Sequence, residues 1–171
     1  MRWRRATPMR QQNKGGDVMA ETIAVIGSGV MGSGIAQTAA MAGKTVYLYD
    51  VSEAALQNGL TSAEKSLRRF VQSGRMSEQE AQAARGRLRP TTDLAEAVRE
   101  ADVVIEAVPE NLALKKEVFQ KLDELAKPSA ILATNTSELS VTALAAATNR
   151  PENVIGMHWF NPAPVMKLIE I

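Results

Sequence analysis

A doubly wound α/β domain with a mostly parallel sheet is the fold that this sequence predicts, and three observations carry the expectation. Short β-branched runs recur along the chain from Thr22, and small-residue or amphipathic helical stretches separate them. That alternation calls for parallel strands covered by helices on both faces. Finally, 171 residues with 45% apolar and 23% charged content are enough for one well-packed domain.

The elements follow in order. Thr22–Ile26 (TIAVI) reads as a first strand ending at Gly27, and Ser33–Ala42 as a helix of small residues closed by Gly43 at a C-cap position. Thr45–Tyr49 (TVYLY) is a second buried strand ending at Asp50. Leu56, Leu60, Ala63, Leu67 and Phe70 then recur at helical spacing, which predicts an amphipathic helix over Ser52–Gln72. Ser77 and Glu80 form a capping box that opens a second helix before a short strand near Leu88. This helix pair, spanning residues 52–86, is longer than a plain crossover needs to be. Alternation resumes with a strand at Asp102–Val108, a helix at Leu112–Ala126, a strand at Ala130–Thr134, a helix at Val141–Ala147 and a strand at Asn153–His158. The last run, Val165–Ile171, has strand character and places Glu170 on the same side as Leu168 and Met166, where a carboxylate needs a partner.

Composition removes several classes of function. With no cysteine and a single histidine, His158, no metal site is expected. Residues 1–18 carry five basic residues against one acid, so the rest of the chain has a net charge of −3. The basicity belongs to an extension expected to be disordered, leaving 19–171 as the folded domain without a nucleic-acid surface. No apolar run approaches the roughly 18–20 residues that a membrane helix needs, so no membrane partner is expected. The extension has no apolar core of a secretory signal, which makes the cytoplasm the expected compartment.

The most informative motif is Gly27-Ser28-Gly29-Val30-Met31-Gly32, a G-x-G-x-x-G between a strand and a helix. Gly27 suits a tight turn, Gly29 a close approach to a pyrophosphate, and Gly32 close helix–strand packing. Free amides at the helix start favour the anionic phosphates. Asp50 ends the second strand, where its carboxylate suits ribose hydroxyls and repels a 2′-phosphate, so NAD is preferred to NADP. These are the marks of a Rossmann-type sheet. Two further segments follow strands and so reach the ligand edge: Ala133-Thr-Asn-Thr-Ser137 and His158-Trp-Phe-Asn-Pro162.

Taken with these motifs, the sequence resembles the N-terminal NAD-binding domain of the 3-hydroxyacyl-CoA dehydrogenase family, of the 3-hydroxybutyryl-CoA dehydrogenase type. The resemblance rests on GSGVMGSGIAQ (Gly27–Gln37), EAVPENLALKKEVF (Glu106–Phe119), TNTSEL (Thr134–Leu139) and HWFNPAPVMKLIEI (His158–Ile171). It implies NAD-linked interconversion of 3-hydroxyacyl-CoA and 3-ketoacyl-CoA, a reaction of fatty-acid metabolism. His158 matches the family's catalytic histidine, Glu170 its carboxylate partner and Ser137 the serine on the reacting oxygen. Glu110, Lys115, Asn135 and Ser137 match positions near the cofactor, and Ser66, Ser137 and Asn161 match positions that contact the acyl-CoA substrate.

Family members continue into a helical C-terminal domain that closes over the substrate and usually forms a dimer. This sequence ends at Ile171, so the chain by itself is expected to bind NAD(H) with little turnover, and a homo-oligomer is expected in the full-length context. The competing reading is a non-catalytic dinucleotide-binding module. A hydroxyisobutyrate-type dehydrogenase is a further alternative, disfavoured because those enzymes rely on a lysine base.

Overall fold

A computed structural model describes residues 20–171. The extension read at 1–18 lies outside the described residues. Six parallel strands form one sheet in the order β3-β2-β1-β4-β5-β6, built from β1 (Thr22–Ile26), β2 (Thr45–Tyr49), β3 (Leu88–Thr91), β4 (Val103–Glu106), β5 (Ile131–Thr134) and β6 (Val154–Gly156). The strand order reverses between β1 and β4, which pair in parallel from Ile23–Val103 to Ile26–Glu106. Their carboxyl ends flank the crevice where open α/β sheets take ligands.

Side-chain alternation along the strands sorts the core into two halves. Val25, Val46, Leu48, Ile105 and Ala133 pack with α1 (Val30–Met41), α2 (Glu53–Gln72) and α3 (Glu78–Arg87), through Ile35, Ala36, Leu56, Leu67, Ala81 and Ala84. Ala24, Ile26, Val104 and Leu132 pack on the other face with α4 (Leu94–Val98), α5 (Leu112–Leu125) and α6 (Val141–Ala145). Phe119 and Leu122 of α5 are completely buried there. Truncating a residue such as Phe119 would cost about 3–5 kcal/mol. No helix among the described residues is long and apolar enough to cross a membrane.

The amphipathic reading of α2 holds, with Leu56, Gly59, Ala63 and Leu67 buried, and the Ser77–Glu80 capping box forms as expected. Three expectations need correction. α1 starts at Val30, not Ser33, because Gly29 is its N-cap and the glycine turn runs straight into the helix. α4 went unread because it is only five residues long, although Asp93 caps it on the amides of Ala95 and Glu96.

The third correction concerns the end of the chain. The run Asn153–His158 is not one strand. β6 stops at Gly156, and Met157 still donates to the Thr134 carbonyl. His158–Trp159 (β7) then leaves the sheet to pair antiparallel with Ile169–Glu170 (β8) in a separate ribbon. Val165 and Met166 donate to the Pro162 carbonyl in the turn between them, so most of Val165–Ile171 is not strand. Met166 and Leu168 are exposed, and so is Glu170.

At the opposite edge of the sheet, Asp102 staples strand starts together. Its carboxylate accepts from the backbone amides of Glu21 (2.7 Å) and Thr22 (3.0 Å) and from Lys127 Nζ (2.5 Å). The Lys127 ammonium, ahead of the amide of Thr22, holds this carboxyl down to about 2 from an ordinary 3.8. A carboxyl depressed on folding contributes stability above its unfolded value and loses it as pH falls through its folded value. Asp102→Ala is therefore expected to lose about 2 kcal/mol at neutral pH, shrinking toward zero near pH 2. Urea unfolding of both chains at the two pH values measures this, and an equal difference at both would contradict it.

Candidate functional site

The turn from β1 into α1 is set by backbone crowding. Gly27 has φ +101°, and a Cβ there would lie 2.7 Å from the Ala107 carbonyl oxygen of the chain leaving β4. A Cβ on Gly32 would lie 1.8 Å from the Gly27 oxygen, so neither position admits a side chain. Nothing stands within 4 Å of the place a Gly29 Cβ would occupy, leaving open room above the turn.

Helix α1 also differs at its start. Ser52, Ser77, Asp93, Asn111 and Ser140 each cap a helix with a side chain, whereas Gly29 offers α1 none, and no acid lies in its first turn. Its first amides are thus left for an external acceptor. Open space over Gly29 and a helix start without a side-chain cap fit a pyrophosphate.

Asp50, at the end of β2, is wired into the same turn. Its Oδ2 accepts from the Ser28 amide (2.9 Å) and hydroxyl (2.8 Å), and its Oδ1 from the Ser52 amide (3.1 Å). Burial pushes this carboxyl up, but the Ser28 amide and hydroxyl and the amides of Ser52 and Val51 outweigh burial and hold it below the usual range. It is therefore a carboxylate at neutral pH. Behind the turn, a Cβ on Gly59 would lie 2.5 Å from the Ser28 carbonyl oxygen, so α2 rests directly against the loop.

A buried polar cluster, missed in the sequence apart from two of its members, lies where β4 and β5 end. Glu106 and Lys115 are 0% and 1% exposed and pair at 2.7 Å. Glu106 Oε1 also accepts from the Val108 amide (2.7 Å), and its Oε2 from the Thr134 hydroxyl (2.8 Å). Lys115 Nζ reaches Glu110 Oε2 at 3.2 Å and the Val108 carbonyl at 3.3 Å. The other oxygen of Glu110 accepts from the Thr136 hydroxyl. Burial pushes the Glu110 carboxyl up, yet the Thr136 hydroxyl and Lys115 ammonium outweigh it and leave it below its ordinary value.

His158 lies on β7 directly opposite Glu170 on β8, and Nδ1 stands 2.8 Å from Glu170 Oε2. The ribbon is tied back to the sheet by the Trp159 amide, which donates to Asn135 Oδ1 at 2.9 Å. Ser137, His158 and Glu170 line one open cavity of about 250 Å³, together with Thr136, Val141 and Gly156. The His158 side chain is 27% exposed and that of Glu170 64%, so their pairing contributes about 0–1 kcal/mol to stability. Its effect is orientation: the contact from Nδ1 to the Glu170 carboxylate fixes the ring and leaves Nε2 outside the pairing.

The residues singled out in the sequence thus fall into three groups. Gly27–Gly29 in the turn, Val30, Met31 and Gly32 in the first turn of α1, and Asp50 after β2 come together, Glu110 and Lys115 join Glu106, and Asn135, Ser137, His158 and Glu170 meet at the ribbon. Ser66, half-buried on α2, and exposed Asn161 do not line the cavity beside His158. Glu106, Thr134 and Thr136 were missed as site residues. The only signal was an acid at the end of an apolar strand.

Residues 22–171 match the family model described as 3-hydroxyacyl-CoA dehydrogenase, NAD binding domain. The chain is similar to a probable 3-hydroxybutyryl-CoA dehydrogenase of Bacillus subtilis, 50% identical over 149 residues that make up 87% of this chain and 52% of that protein. A 3-hydroxyadipyl-CoA dehydrogenase of Escherichia coli is 46% identical over 154 residues, 90% of this chain and 32% of that protein. Among solved structures, a 3-hydroxybutyryl-CoA dehydrogenase from Escherichia coli K12 superposes with a TM-score of 0.86 at 45% identity, covering 89% of this chain and 32% of that one. The chain spans from about a third to about half of the length of these relatives.

The His158 geometry makes a spectroscopic prediction. Nitrogen-15 correlation spectra of the neutral imidazole are expected to show the proton on Nδ1, and Glu170→Ala to abolish that preference. An Nε2 proton in the unaltered chain would contradict the pairing.

Proposed function

The chain belongs to the 3-hydroxyacyl-CoA dehydrogenase family, as its NAD-binding domain, and we propose that it supplies the nicotinamide side of a site interconverting a 3-hydroxyacyl-CoA and a 3-ketoacyl-CoA. The observation that carries this reading is the His158–Glu170 pair beside Ser137, in one cavity at the carboxyl edge of a sheet whose glycine turn suits a dinucleotide.

In this reading Gly27–Gly32 and the first turn of α1 take the pyrophosphate, and Asp50 takes the ribose hydroxyls of the adenosine half. An ionised Asp50 repels a 2′-phosphate, which favours NAD. Glu110, Lys115 and Asn135 border the other half. The bound nicotinamide supplies a hydride acceptor. His158 Nε2 takes the proton of the substrate hydroxyl as the hydride leaves the same carbon, and returns it in the reverse direction. Glu170 holds the ring and stabilises the imidazolium, while the Ser137 hydroxyl hydrogen-bonds the reacting oxygen. Acyl-CoA contact at Ser66 and Asn161, assembly as a homo-oligomer and residence in the cytoplasm complete the proposal.

Titrating the chain with NADH and following nucleotide fluorescence is expected to give saturable binding, with NADPH weaker by about tenfold or more. With acetoacetyl-CoA added, slow NADH consumption is expected, and His158→Ala should reduce it by about 100-fold or more while leaving NADH affinity unchanged. Failure to bind NADH would overturn the cofactor reading. Undiminished consumption by His158→Ala would overturn the role given to that residue.

A further inference from the structure

The mechanism above leaves one buried charge without a task. Glu106 ends β4 in the middle of the sheet, beside Ile26 of β1 and Thr134 of β5. A carboxylate with no exposed surface is costly there, and packing alone is often better served by an apolar side chain. Its partners come from three segments that border the crevice: Val108 in the exit from β4, Lys115 on α5, and Thr134 at the end of β5. The Asn135 amide also returns to the Glu106 carbonyl at 2.8 Å, and the Thr136 amide reaches the Thr134 hydroxyl at 3.3 Å. The start of the loop carrying Asn135 and Ser137 is therefore fastened to this residue, by its backbone carbonyl and, through the Thr134 hydroxyl, by its carboxylate.

We propose that Glu106 is a positioning residue of the cofactor site, acting through Lys115. Lys115 Nζ donates to Glu106 Oε1 at 2.7 Å and to the Val108 carbonyl at 3.3 Å, and it pairs with Glu110 Oε2 at 3.2 Å. The shortest contact is with the completely buried carboxylate, which makes it the fixed end. The longer contact to Glu110, a third of whose side chain is exposed, is the one a ligand can exchange. Glu106 thereby fixes Lys115 Nζ against Glu110, so that Glu110 and the lysine behind it meet a sugar hydroxyl of the nicotinamide half in a fixed geometry. The inference rests on the cofactor reading above.

Glu106→Gln separates charge from shape. The amide oxygen can keep Val108 and Lys115, and its NH₂ can donate to the Thr134 hydroxyl after that hydroxyl rotates. The experiment compares the unaltered chain, Glu106→Gln, Lys115→Met and the double variant for NADH affinity and thermal midpoint. Glu106→Gln is expected to fold and to weaken NADH binding by roughly tenfold or more. The double variant should bind no more weakly than Lys115→Met, because Glu106 acts through the lysine, and should melt higher, because Lys115→Met alone strands a buried charge. Unchanged affinity in a folded Glu106→Gln would overturn the proposal, as would losses that multiply in the double variant. If Glu106→Gln does not fold, the double variant against Lys115→Met decides by the same criterion: equal affinity supports the proposal and weaker binding overturns it. Absence of NADH binding by the unaltered chain would instead overturn the cofactor reading on which the proposal stands.

Discussion

The close passage of two backbones, where the turn after β1 crosses the chain leaving β4, is the constraint from which the rest of the site follows. Only a residue without a side chain fits at Gly27, 2.7 Å from the Ala107 oxygen measured from the missing Cβ. From this crossing the two chains diverge, α1 packing with Val25 on one face of the sheet and α5 packing with Ile26 on the other. The divergence leaves a crevice at the carboxyl ends of β1 and β4, with nothing within 4 Å of where a Gly29 Cβ would stand. Three strand ends then deliver polar groups to it: Asp50 from β2, Glu106 from β4, and Thr134, with the loop after it, from β5.

Two close side-chain pairs in this structure show why burial decides what a pair is for. His158 and Glu170 sit as close as Glu106 and Lys115 to within 0.1 Å, yet the first pair is solvated and the second is sealed. A solvated pair is screened and adds little to stability, so its value is directional. A sealed pair cannot lose one partner without leaving a charge in the core, so it locks the three segments that supply its hydrogen bonds. The site is rigid at its floor and accessible at its rim.

Much of this could be read from the sequence, because the governing signals are local. A G-x-G-x-x-G between a strand and a helix, followed by a strand ending in Asp50, needs no tertiary information. The periodicity of α2 and the capping box of α3 are likewise written within a few residues. Glu106 was not legible because an acid at a strand end is ordinary until Lys115 and Thr134 are known to converge on it from 9 and 28 residues away. The break between β6 and β7 was hidden for the opposite reason. Asn153–His158 is uniformly strand-like, and only pairing with residues beyond Pro162 and Pro164 draws His158 out of the sheet. Glu170 does have a partner in His158, but not through the side parity that suggested one, since only Ile169–Glu170 of that run is strand and Met166 and Leu168 are exposed.

The double hydrogen bond from Ser28 to Asp50 has a bearing on how coenzyme preference can change in such a fold. The carboxylate that, in the proposed function, selects against a phosphorylated ribose also holds the amide and hydroxyl of Ser28 in the glycine turn. Exchanging Asp50 for a neutral or basic residue would therefore loosen the loop at the moment it relaxed selectivity, and Gly59 of α2 leaves the Ser28 carbonyl no room to retreat. Redesign toward the phosphorylated coenzyme is consequently at least a two-position problem, in which a new anchor for Ser28 must arrive together with the new charge. A lineage confined to single substitutions would meet a loss of binding before any gain, and discrimination at this site is protected by architecture as well as by charge.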